Sequence, residues 1–201
     1  MANDILNQVE ELFSDNEQWN SFLELSSQKD FIRNSWWQSF RSQMNKCFAV
    51  ENLVDSWGFI SWGAWDYRWF LKDYGEKSLC LWSREWNGNY SLLLWADQNL
   101  YDSAKISNLL QEQKYLPIVS AFERQDEIPA PDNSIKIMEH GNFQFGDTMD
   151  GHFNINRLAW YAHYKPIELV SQILRKVDYF RRDKEITNLL MELNNETKKK
   201  K

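Results

Sequence analysis

Residues 79–97 read LCLWSREWNGNYSLLLWAD. Asn87-Gly88 divides this stretch into two runs of large apolar residues. A two-residue Asn-Gly loop with positive φ at both positions is the strongest short-range signal for an antiparallel hairpin. The loop length sets the register. Trp86 opposes Asn89, Glu85 opposes Tyr90, Trp82 opposes Leu93 and Cys80 opposes Trp95. Leu79, Leu81, Leu92 and Leu94 fall on the mixed or opposite face. Both faces of the ribbon are thus apolar. Such a ribbon belongs in a sheet covered on both sides, or in one covered by helices with an aromatic surface left over.

Upstream lies DSWGFISWGAWDYRWFLKDYG, residues 55–75. It belongs to a wider concentration: nine of the eleven tryptophans fall between Trp36 and Trp95. On a helical wheel Trp62, Trp65 and Trp69 form one stripe. Tyr67, Phe70, Leu71 and Tyr74 form a second on the opposite side, and Gly75 follows as a terminator. The pattern predicts a helix over 66–74 with two apolar stripes. An ordinary surface helix has one. Two stripes mean a helix held between layers, or one with an exposed aromatic face.

The flanks read as helices. Ile5, Val9, Leu12 and Phe13 have helical spacing over 4–13. Trp19, Phe22, Leu23 and Leu25 repeat it over 17–26, after a cap at Asp15. Ile32, Trp36 and Phe40 place a third helix over 30–44. After the hairpin, Asp102 caps a helix to about Tyr115, which Pro117 ends. Residues 118–122 (IVSAF) read as a strand, and ERQDEIPAPDN as a loop. Residues 135–138 read as a strand to which 143–145 pairs. Pro166 suits the first turn of a helix to Arg182. Asp183 caps a last helix. The expectation is one α+β domain over residues 1–195. Its N-terminal helices fill about the first 50 residues, its central sheet is mainly antiparallel and includes the hairpin 79–97, and C-terminal helices follow. Residues 196–201 read as a disordered, lysine-rich tail.

Composition narrows the function classes. With 43% hydrophobic and 15% aromatic residues the chain supports a real core. Its formal net charge is −6. An acidic body disfavours a nucleic-acid partner, because phosphate neutralisation needs clustered Lys and Arg. The basic stretch 175–184 is interrupted by Asp178 and Asp183, and Asp178 is spaced to pair with Arg182 on a solvated helix face. No apolar run is long enough for a membrane span. The two cysteines, Cys47 and Cys80, read as buried free thiols in a reducing, cytoplasmic setting.

Three groups of residues carry candidate chemistry. His140, His152 and His163 share residues 139–163 with Glu139, Asp147 and Asp150. Histidine with carboxylate is the usual ligand set for a divalent transition metal, and the usual acid–base pair. No His-Glu-x-x-His spacing is present. Carboxylates at strand ends (Glu85, Asp97, Glu123) could suit a nuclease metal, but hairpin pairing puts Glu85 and Asp97 at opposite ends of the ribbon. No Gly-x-Ser-x-Gly, phosphate loop or dinucleotide fingerprint occurs.

The leading expectation is therefore a non-catalytic binding protein without a cofactor. It would dock a protein partner through a tryptophan-rich surface formed by Trp57, Trp62, Trp65, Arg68 and Trp69, since Trp and Arg are favoured anchors. Small acidic accessory, inhibitor or immunity-like proteins fit this description by composition alone. The alternative is a metal-dependent hydrolase or nuclease using His140, Asp150, His152 and His163. A third reading is an aromatic platform for a sugar or nucleobase.

Overall fold

The computed structural model describes residues 13, 15–49, 56–63, 65–86, 89–122, 128–129, 134–142 and 155–199. The expected α+β architecture is found. A long helix α1 (Asn16–Cys47) leads into strands β1 (Trp57–Ser61), β2 (Tyr67–Leu71), β3 (Cys80–Trp86) and β4 (Asn89–Asp97). Helix α2 (Ser103–Leu110), a 3-10 turn at Gln113–Tyr115 and the short helix α3 (Leu116–Ser120) follow. Strands β5 (Ile128–Pro129) and β6 (Ser134–Asn142) come next, then helices α4 (Ile155–Tyr164), α5 (Pro166–Arg182) and α6 (Lys184–Thr197). The sheet is antiparallel at every pairing, in the order β1-β2-β3-β4-β6-β5.

The β3–β4 register is the one the Asn-Gly loop dictates: Trp86↔Asn89, Glu85↔Tyr90, Trp82↔Leu93 and Cys80↔Trp95. Opposed residues in an antiparallel pair share a face. Trp69, Leu81 and Leu94 therefore stand in one row on the first face. They join the main core with Trp37, Phe40 and Met44 of α1, and with Leu169, Ile173 and Val177 of α5. Cys80, Trp82, Leu93 and Trp95 form a second buried cluster on the other face, with Phe70 packed against it. Gly58 pairs with Phe70, and a Cβ on Gly58 would lie 2.6 Å from that ring. The missing side chain lets the ring lie across β1.

Residues 67–71 correct the expected helix: they form β2, between β1 and β3. A strand buried on both faces is apolar at successive positions, and its two faces mimic two helical stripes. Tyr, Trp and Phe within five residues favour the pleated form. Gly75, expected to terminate that helix, lies instead in the β2–β3 turn, at φ +81°.

The helices expected over 17–26 and 30–44 are one, since nothing between them breaks a helix. Asp15 caps it through the backbone N–H of Glu17. Residues 118–120 are helical, not extended, because Pro117 starts a helical turn. Ile128–Pro129, inside the expected loop, is an edge strand on β6. Residues 4–12 and the 143–145 pairing lie outside the described residues. Asp102 and Asp183 cap α2 and α6 as expected.

Helix α6 runs to Thr197 and Lys198 bridges Tyr101, so the helical layer reaches into the stretch 196–201 that reads as a tail. One side chain fastens α6 to the sheet. Buried Asn194 accepts from Leu79 N–H at 3.0 Å and donates to the carbonyls of Leu79 (3.2 Å) and Leu190 (2.8 Å). Asn194→Ala strands a buried N–H and a carbonyl, and is expected to cost about 2–4 kcal/mol. A urea titration monitored by far-UV circular dichroism measures this cost.

Candidate functional site

The five residues 57, 62, 65, 68 and 69 do not form one surface. Trp57 lies under α6, its indole N–H 3.4 Å from Thr187 Oγ1, and is buried. Trp69 is buried against Phe48 and Phe59. Trp65 is half-buried against Trp37 of α1, at 5.5 Å between rings. These three are core.

Arg68 and Trp62 belong to the second face. Strand alternation aims Arg68 away from Trp69, into the tryptophan cluster. Its guanidinium lies 3.9 Å from the Trp95 ring centroid, 4.0 Å from Trp62 and 4.9 Å from Trp82. Nη1 donates to the Glu76 carbonyl at 3.4 Å. Arg84 covers Trp82 at 4.5 Å and sits 3.8 Å from Asp66. Guanidinium groups are weakly hydrated and stack on aromatic faces, so Arg68 can be buried where Lys could not. Trp62 is the outermost ring of this stack.

Of the expected metal ligands, His140 and His163 fall within described elements. His140 is on β6, and Asp150 and His152 lie outside the described residues. His163 is on α4, its ring stacked on Trp36 of α1 at 5.5 Å and 16°. Among the described residues no three His, Cys, Asp or Glu side chains are grouped to hold a metal. Asp97 accepts from the N–H of Asn99 and shapes the turn after β4. Asp178 pairs with Arg182, as its spacing predicts, and also with Arg181. No helix among the described residues is long and apolar enough to cross a membrane.

Both thiols are free. Burial pushes the Cys80 thiol up to about 12. Cys47 is also raised, by burial first and by the Asp178 carboxylate second. A thiol is nucleophilic as the thiolate, so neither is poised for catalysis near neutral pH.

Besides Trp62, exposed aromatic surface sits on helices. Trp19 on α1 is 41% exposed, Trp160 on α4 42% and Trp62 45%. Two of these three lie outside the tryptophan concentration. Trp160 stacks on Tyr164 at 5.1 Å, and Tyr164 meets Trp36 edge-on at 5.8 Å. His163 closes the group against Tyr164 at 4.7 Å. Ile167, three residues after Tyr164 at the start of α5, is exposed as well. The result is an aromatic plate whose outer rings are wet and whose inner ring, Trp36, is held by packing.

No protein-family model, curated protein or solved structure matches this chain.

Two outcomes test these placements. Trp62→Ala removes one cation–π partner from a half-exposed position and is expected to cost about 1–2 kcal/mol, whereas Trp69→Ala is expected to cost about 3–5 kcal/mol. Chemical denaturation separates the two. Cys80 is a neutral thiol at pH 8, so maleimide labelling of that residue is expected only after unfolding. Mass mapping of the labelled peptide reads this out.

Proposed function

We propose that the protein is a non-catalytic binding module that docks a protein partner through the aromatic plate of α4. The observation that carries this reading is the Trp160–Tyr164–Trp36 ring group. Two large side chains face water while a third fixes them in place. Aromatic anchors that are already ordered lose little side-chain entropy on binding, and Trp and Tyr are the side chains that most often dominate protein interfaces. Exposed Ile167 extends the apolar surface. The acidic body adds long-range attraction for a basic partner. Cytoplasmic residence, suggested by the two free thiols, fits such an accessory or inhibitor role.

The test compares the tagged wild-type chain with a Trp160→Ala, Tyr164→Ala variant, each recovered from its source cells and analysed by native mass spectrometry. A stoichiometric second protein is expected with the wild type. Loss of about 2 kcal/mol or more of binding energy, a hot-spot value, empties the variant of it. Both rings are solvent-facing, so the variant's thermal unfolding midpoint should stay close to that of the wild type. Recovery of the wild type alone, or equal partner yield from both proteins, rejects the reading.

A further inference from the structure

Helix α1 has 32 residues and is about 48 Å long. Its C-terminal part is core: Trp37, Phe40 and Met44 are fully buried. Its N-terminal part is an arm. Every residue from Asp15 to Phe31 is exposed. Over this stretch, about 25 Å of helix, no described element of the body buries a side of the helix. A solvated arm should be polar all round. This one is not. Trp19, Phe22 and Leu25, spaced by three, lie along one side and are exposed. The Trp19 and Phe22 rings stack at 5.6 Å, and Phe13 abuts both, at 5.3 Å and 4.7 Å.

The ends of this apolar stripe carry opposite charges. Asp15 lies seven residues before Phe22 and Lys29 seven residues after it. Seven residues are nearly two helical turns, so all three share one side of the helix. Lys29 makes no ion pair with any described residue. We infer that the occupant of this stripe is the arm of a second copy of the chain, packed antiparallel about a twofold axis at Phe22.

That geometry follows from the charges. In an antiparallel pair centred on Phe22, each Asp15 opposes the Lys29 of the other copy, and each Trp19 opposes the other Leu25. A parallel pair would set Asp15 on Asp15 and Lys29 on Lys29. The twofold arrangement is isologous and closes at two chains. The Asp15 carboxylate already accepts from Glu17 N–H and has a second oxygen for the lysine. The stripe ends at Lys29, seven residues before Trp36 of the α4 plate, and its residues are not those proposed above to hold the partner.

Sedimentation equilibrium of the purified full-length chain tests the inference, because no other protein is present. The expected result is a mass that rises with concentration towards twice that of one chain. Phe22→Glu should return it to one chain, with an unchanged circular dichroism spectrum. Lys29→Glu should weaken association at least tenfold and make it less sensitive to salt. A short bis-maleimide should cross-link Phe22→Cys chains in pairs, and Glu17→Cys chains, altered on the opposite side of the helix, no more than wild type. A single-chain mass at all concentrations overturns the inference. So does association that Phe22→Glu leaves intact. A single-chain mass together with arm-dependent capture of a different protein also overturns it, and leaves the α4 reading standing.

Discussion

A sheet with no polar face has to be covered twice. Alternation along β3 and β4 sends Leu81, Leu92 and Leu94 to one side, and Cys80, Trp82, Leu93 and Trp95 to the other. The first side is met by α1, α5 and α6, which supply the large core. The second side solves the problem differently. Its bulkiest members, Trp82 and Trp95, are interleaved with the guanidinium of Arg68 and faced by that of Arg84. A charged group thus serves as packing material. Flat cations fill the gaps between flat rings.

The helical layer is fixed to this sheet by a few polar contacts set among many apolar ones. Asn194 satisfies both backbone groups of Leu79 just before β3 begins. Tyr74, in the β2–β3 turn, donates to the Met191 carbonyl at 3.1 Å. Trp57 reaches Thr187. Three points along α6 therefore touch β1 and the two ends of the β2–β3 connection. Apolar contact alone would let a helix slide along a greasy sheet, whereas directional bonds at these spacings allow one position.

Much of this was readable before any coordinates. The hairpin register follows from two residues, Asn87 and Gly88. Caps at Asp15, Asp102 and Asp183 and the helix start at Pro166 follow from local chemistry that packing has no reason to override. Residues 66–74 look helical because a strand buried on both faces loses its period of two. Residues 118–122 look extended because four apolar residues and one serine are too short a run to show a period. The candidate surface was misplaced for a related reason. Density of tryptophan along the sequence marks a place where two layers meet: of residues 57, 62, 65, 68 and 69 Trp62 alone is well exposed, and the exposed indoles of Trp19 and Trp160 lie outside that concentration. That α4 lies against α1, and so joins Trp36 to Tyr164, is a tertiary fact with no local signal.

The same helix that anchors the core also leaves it. Hydrogen bonds in its last turns are shielded by packed rings and open only when the whole body opens. Those of the arm are protected by helical cooperativity alone, which is modest in water. Amide exchange along α1 should therefore form a gradient, fast at Trp19 and slow at Met44. The continuous backbone makes the arm a lever. Whatever grips it gains a rigid hold on Trp37 and Phe40 through less than four further turns of helix, and strain applied at the tip arrives at the first face of the sheet without passing through a loop.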